Sequence, residues 1–228
     1  MYLQERNPVR ILKGALATAM ALLRRSRESI SEPARSAEHA KFDTRKWTPG
    51  LLKHLDWRRF EELAAAYFEA LGFTTRVSPP RASGNVDISL CPEGSATPAI
   101  LVRCEPWNAY RVGIKPVREL RAAMTAARIG EGILLSASSF TQEAAAFAAK
   151  EKIELIDGAG LLLKLEALAP EKALALLKFT TQGDFLTPTC PSCAVKMTSR
   201  KSTQGGRKFW GCVHYPRCKQ TFSGTIPV

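Results

Sequence analysis

Cys190, Cys193, Cys212 and Cys218 form the pattern C-x2-C-x18-C-x5-C near the C-terminus. A zinc ion takes about four soft ligands in a tetrahedron, and a C-x2-C turn presents two of them from one knuckle. The second pair completes the shell from a facing hairpin. So little chain cannot hold a core of its own, which would make the metal a condition of its folding. The competing explanations are a pair of disulfides or four unrelated thiols. Nothing in the chain suggests secretion, and zinc is the preferred reading. His214 lies between two of these cysteines and could replace one, but four thiolates already fill the shell.

The surroundings of the cysteines suit a polyanion. From residue 185 onward there are seven basic residues, Lys196, Arg200, Lys201, Arg207, Lys208, Arg217 and Lys219, and no acidic one. Phe209, Trp210, Tyr215 and Phe222 are interleaved with them. Basic groups track phosphates, and flat aromatic faces stack on unpaired bases. The aromatics can equally be the ribbon's small core. Phe209 and Phe222 are read that way, whereas Trp210 and Tyr215 are the stacking candidates.

A second set of residues could do chemistry on phosphate. Residues 85–90 alternate, with Val86, Ile88 and Leu90 on one face and Asp87 and Ser89 on the other. Residues 99–105 alternate too, with Ile100, Val102 and Cys104 opposite Leu101, Arg103 and Glu105. If the two strands pair, Asp87, Arg103 and Glu105 emerge on one face. Two carboxylates beside a cation are the minimum for holding a divalent metal against a phosphodiester. A lone carboxylate on a strand is more often simply solvent-facing. Cys104, on the apolar face, is read as core, like the lone thiol Cys91.

The elements that must position these residues follow from hydrophobic periodicity. Residues 57–71 place Phe60, Leu63, Ala64, Tyr67, Phe68 and Leu71 on one helical face, and Gly72 stops the helix. Strands are expected at 73–77, 85–90, 99–105, 132–136 and 153–156. Helices are expected at 115–129 and 141–152, with a helical tail at 161–178. The order αβββαβαβα predicts a mixed sheet flanked by helices.

Charge divides the 228-residue chain in three. Residues 1–46 carry ten Lys and Arg against five Asp and Glu, residues 47–184 carry sixteen of each, and the remainder is basic. The formal charge of +12 therefore sits on two flanks, as expected if they grip a polyanion around a neutral domain. The N-terminal flank can also be a solvated tail. Within it, residues 9–23 are apolar but contain Lys13 and are too short to span a bilayer. Arg24-Arg25-Ser26-Arg27 follows where a signal peptide would want a cleavage site. The reading is a peripheral helix and a linker in a cytoplasmic protein. No Gly-rich phosphate loop or Ser/His/Asp arrangement is present.

Two resemblances sharpen these expectations. Cys190-Pro-Ser-Cys193, Met197, Arg200, Gly206, Phe209-Trp210-Gly211-Cys212, Tyr215-Pro216-Arg217-Cys218 and Thr221 resemble the zinc ribbon repeated at the C-terminus of bacterial type IA topoisomerases. The resemblance implies DNA binding without chemistry. Ala194 stands where that family usually has glycine, a residue suited to the positive φ of such a knuckle.

Residues 57–170 resemble Mrr-type restriction endonucleases. The likeness rests on Phe60-Glu61, Gly72-Phe73, Gly84-Asn85-Val86-Asp87-Ile88, Ile100-Leu101-Val102-Arg103-Cys104-Glu105, Val112-Gly113-Ile114-Lys115-Pro116-Val117-Arg118-Glu119-Leu120, Ser139-Phe140-Thr141 and Ile156-Asp157-Gly158. It implies the PD-(D/E)xK nuclease fold, with a restriction-endonuclease-like mixed sheet, at 47–184, followed by the ribbon at 185–228. It also implies Asp87 as a metal ligand and Glu61 as the assisting helical glutamate. The family's next strand carries Gln-x-Lys or Glu-x-Lys, and here Arg103-Cys104-Glu105 stands in its place. The loop before Asp87 reads Ser83-Gly84-Asn85 instead of the usual acidic Asp-Gly.

A glutamate where the family has lysine repels the phosphate, and losing one such group costs about two to three orders of magnitude in rate. The expectation is a DNA-binding protein whose endonuclease site is weakened or lost. The alternative is an active DNA endonuclease with a swapped motif, in which Glu105 binds metal while Arg103 or Lys115 supplies the positive charge. Arginine can clamp phosphate there but cannot act as a base. An Arg103–Glu105 salt bridge in a dead site fits the same residues, and an interaction module acting on a partner nuclease is a third class. Expected cofactors are structural zinc, plus magnesium or manganese if the site is active. The expected partner is DNA, with a homodimer left open, and no small-molecule cofactor or membrane is anticipated.

Overall fold

The computed structural model describes residues 43–78, 86–105, 111–202 and 206–222. The N-terminal helix expected at 9–23 and the Ser83-Gly84-Asn85 loop lie outside those residues. Residues 38–228 form one unit, and the description below concerns that unit.

The chain enters through α1 (Pro49–His54), which the sequence reading does not anticipate. Thr48 caps it by accepting the Leu51 N–H, and Pro49 occupies a first-turn position where its missing N–H costs nothing. Next comes α2 (Trp57–Ala70), ended by Gly72 at a φ of +96°. The sheet follows: β1 (Thr74–Val77), β2 (Asp87–Cys91), β3 (Ile100–Glu105), β4 (Glu131–Ser136) and β5 (Ile153–Ile156). Between these strands lie α3 (Ile114–Ala127) and α4 (Gln142–Lys150), and α5 (Gly158–Glu166) and α6 (Pro170–Thr180) follow β5. The expected single helical tail is therefore two helices. Pro170 cannot continue a preceding helix, and instead opens the next one at its first turn.

The five strands lie in sequence order, antiparallel from β1 to β3 and parallel from β3 to β5. Side chains alternate across this sheet and feed two cores. On one face Ile88, Leu90, Val102, Cys104 and Leu135 pack with Phe60, Leu63 and Tyr67 of α2 and Leu161 and Leu165 of α5. On the other, Leu101, Leu134 and Ile153 pack with Val117, Leu120 and Met124 of α3 and Ala144 and Ala148 of α4. Helices thus cover both faces, the mixed α/β architecture expected of the sequence. Phe185 and Leu186, just before the cysteines, belong to the first core.

The ribbon is a three-stranded antiparallel sheet of β6 (Thr198–Lys201), β7 (Lys208–Gly211) and β8 (Thr221–Phe222). Its core is Cys190, Met197, Trp210 and Cys212, with Val195 and Phe222 packed alongside.

Candidate functional site

The pairing of β2 with β3 sets Asp87 directly opposite Arg103, so the shared face expected for these two residues exists. Glu105, two residues beyond Arg103 on β3, projects to that same face. Cross-strand partners stand about 5 Å apart at Cβ, within easy reach of a guanidinium. Arg103 Nε donates to Asp87 Oδ1 at 2.8 Å and Nη2 donates to Oδ2 at 3.1 Å. Both side chains are buried, Asp87 at 8% and Arg103 at 2% exposure. The ion pair that forms is thus between strands, in place of the Arg103–Glu105 pair along one strand. The reason is distance, since neighbours on one face of a single strand are separated by two residues, about 7 Å.

On α3, Glu119 brings Oε2 to 4.0 Å from Arg103 Nη1 and Oε1 to 3.9 Å from Lys115 Nζ. Lys115 itself is 87% exposed in its side chain and stands at the rim, with Glu119 between it and Arg103. Glu119 is not among the residues expected at the site, although it falls one helical turn after Lys115.

Glu61 reaches the start of the same strand from the opposite face. It accepts the backbone N–H of Val86 at 3.2 Å, one residue before Asp87. Burial raises its pKa to about 8, outweighing the opposing effects of that hydrogen bond and of Arg58. At neutral pH it is therefore mainly a carboxylic acid. It lines a cleft of about 400 Å3 with Trp57, Ala65, Val77, Val86 and Phe179. Cys104 is fully buried behind Arg103, and burial drives its thiol well above the usual range.

As they stand, Asp87 and Glu61 do not converge on one divalent-metal site. Both Asp87 oxygens are engaged by a buried cation, and Glu61 lies on the other face holding a backbone N–H. Among the described residues, the metal-competent group of three or more ligands is elsewhere. It consists of Cys190, Cys193, Cys212 and Cys218, whose sulfurs all lie within 4.8 Å of one another. None is in a disulfide, and the Sγ atoms of Cys190 and Cys218 are 3.7 Å apart. Zinc–sulfur bonds of about 2.3 Å in a tetrahedron place sulfurs about 3.8 Å apart, so the tetrad fits zinc. His214 contributes its backbone N–H to Cys212 Sγ at 3.4 Å.

The knuckle between Cys190 and Cys193 closes as its spacing predicts. Ala194 N–H donates to the Cys190 carbonyl at 2.8 Å, and Ala194 adopts a φ of +55°, the left-handed conformation anticipated for a glycine position. The basic residues of the ribbon divide into two groups. Lys201, Arg207, Lys208, Arg217 and Lys219 are exposed.

Lys196 and Arg200 are spent internally. Lys196 Nζ donates to Asp56 Oδ2 and the Thr187 carbonyl, both at 2.8 Å. Arg200 donates to the Cys212 carbonyl at 3.2 Å and stacks over Tyr215 at 5.4 Å. Its side chain also lies across Gly211, where a Cβ would fall 2.7 Å from Arg200 Cδ. Trp210 is likewise corrected from stacking face to core. At 6% exposure it faces Met197 and the cysteines, whereas Tyr215 remains 61% exposed.

The described residues thus form an α/β domain with helices on both faces of a mixed sheet, and a three-stranded ribbon whose four cysteines cluster as zinc ligands do. Residues 52–164 match the family described as restriction endonuclease, Mrr_cat, and residues 187–224 that described as topoisomerase DNA binding C4 zinc finger. The chain thus carries an Mrr-type restriction endonuclease domain followed by a topoisomerase-type C4 zinc ribbon. It is also 30% identical over 99 residues to uncharacterized protein y4cE of Sinorhizobium fredii (strain NBRC 101917 / NGR234), covering 42% of this chain and 25% of the relative.

The solved structures similar to the chain include two restriction endonucleases at 19% identity. The DNA modification-dependent restriction endonuclease AspBHI matches with a TM-score of 0.43, over 67% of this chain and 44% of that one. The MspJI restriction endonuclease in complex with a 27-mer oligonucleotide matches at 0.40, over 72% and 41%. The chain spans a quarter of the curated relative's length and under half of either solved structure. Among the described residues, no helix is long and apolar enough to cross a membrane.

Proposed function

We propose that this protein binds DNA through its zinc ribbon and a nuclease-fold platform whose own phosphodiester hydrolysis is weakened or lost. The observation that carries the reading is the buried bidentate pair between Asp87 and Arg103. A metal ion at Asp87 would have to displace a guanidinium already held by two hydrogen bonds. Separating a buried ion pair costs about 3–5 kcal/mol when one charge is left without a partner. Arg103 therefore serves as a tethered cation in the place of an exchangeable one. Glu105, beyond it on the same face, adds negative charge where negative charge grows on the phosphate during hydrolysis.

DNA as the ligand is supported by the ribbon's chemistry. Five exposed basic side chains and the exposed Tyr215 face suit phosphates and an unpaired base. The description of the matching ribbon family as DNA binding agrees.

The test is plasmid nicking with magnesium or manganese on zinc-loaded protein. Wild type is expected to nick feebly or not at all. Arg103→Gln with Glu105→Lys removes the guanidinium from Asp87 and restores the family's pattern on one strand face. Cleavage should then rise by at least about a hundredfold, the worth of one well-placed electrostatic group. Adding Asp87→Ala should abolish it. Efficient cleavage by wild type, lost on Glu105→Lys alone, would establish the swapped motif instead.

A further inference from the structure

Asp56 stands at the N-cap position of α2, where an aspartate ordinarily accepts an N–H of the first helical turn. It makes no such bond. Its side chain is 2% exposed and turns to the ribbon. Oδ1 accepts the Thr189 N–H at 2.9 Å, while Oδ2 accepts the Thr189 hydroxyl at 2.5 Å and Lys196 Nζ at 2.8 Å. The next residue joins in, with Trp57 Nε1 donating to the Thr189 carbonyl at 2.6 Å. The Asp56 backbone N–H reaches the Phe185 carbonyl at 2.8 Å.

The two residues gripped by Asp56 are not arbitrary parts of the ribbon. Thr189 and Lys196 form an antiparallel bridge, and between them lie Cys190 and Cys193. Cys190 N–H donates to the Val195 carbonyl at 2.8 Å, closing the loop just inside that bridge. Asp56 therefore holds both stems of the loop that supplies half of the metal shell. At the other end of the path, α2 carries Glu61, one and a half turns on, to the Val86 N–H.

We propose that Asp56 is a latch that couples the ribbon's metal to the α/β domain. Zinc holds the loop in the shape that Asp56 and Trp57 read, and the latched loop in turn orders the start of α2. The coupling is reciprocal by thermodynamic necessity, so loosening either partner loosens the other. It operates whether or not the protein cleaves DNA.

Intact zinc-loaded chain, with metal content verified by elemental analysis, provides the test. Asp56→Asn keeps an acceptor for Thr189 but turns an amide N–H2 toward the Lys196 ammonium, donor against donor. A chromogenic chelator should strip its zinc at least about tenfold faster than from wild type, the worth of one charge-assisted hydrogen bond. Lys196→Met, which leaves both Thr189 bonds in place, should show the same change to a smaller degree and decides the matter if Asp56→Asn fails to fold. Conversely, zinc removal from wild type should raise amide hydrogen exchange in residues 57–62, not only in the ribbon. Stripping at the wild-type rate in the folded variants, or unchanged exchange at 57–62 after zinc removal, would overturn the latch.

Discussion

A buried carboxylate can meet the cost of burial by pairing with a cation or by keeping its proton, and this protein uses both solutions within one strand end. Asp87 takes the first, through Arg103. Glu61 takes the second, with a pKa raised from 4.5 to about 8. The folded protein thus holds a proton that the unfolded chain releases above about pH 4.5. Stability from this group is full below that pH and falls as pH rises toward 8, by at most about 1.4 kcal/mol per unit. Glu61→Gln keeps an oxygen for the Val86 N–H and has no proton to lose. Denaturant unfolding at pH 5 and pH 8 should therefore show a flatter pH dependence in the variant, with its advantage over wild type at pH 8. Parallel profiles for the two proteins would mean that Glu61 is not held as the acid. None of this is legible in the residue itself, since the family resemblance marks Glu61 as near the site but burial decides its charge.

Elements are more legible in this sequence than partners. Alternation locates β2 and β3 and their shared face, because successive side chains of a pleated strand point to opposite faces. Interleaving with basic residues marks Trp210 as a stacking candidate, yet a sheet of only three short strands around four cysteines draws this large side chain into its core. Pro170 is visible in the sequence, yet the helical pattern on either side of it masks the break. The latch at Asp56 could not be foreseen, since its partner lies 133 residues along the chain. The knuckle is fully legible, down to the left-handed residue. Ala194 carries a Cβ at a φ of +55°, where L-residues are disfavoured by about 1–2 kcal/mol. Ala194→Gly should relieve most of that, less the extra chain entropy of glycine, for a net gain of about 0.5–1 kcal/mol. Thermal unfolding of the zinc-loaded protein measures it, and a loss of stability would show the knuckle to be relaxed with alanine.

At the scale of the whole molecule, charge is what distinguishes grip from chemistry. The α/β region is neutral, while the ribbon keeps five exposed cations, Lys201, Arg207, Lys208, Arg217 and Lys219, after Lys196 and Arg200 are spent on internal bonds. Deleting the ribbon would confuse the two roles, because residues 187–196 are also part of the latch on α2. Replacing the five exposed residues with glutamine removes charge and leaves Thr189, Lys196 and the cysteines in place. Binding to duplex DNA of unrelated sequences should then weaken to a similar extent for each. The slope of log affinity against log salt should shrink by about 0.9 for every phosphate that the variant no longer neutralises. Titrations across a range of salt concentrations read both quantities at once. A slope equal to that of wild type would place the grip outside the ribbon, and a weakening confined to one sequence would mean that these side chains read bases rather than phosphates.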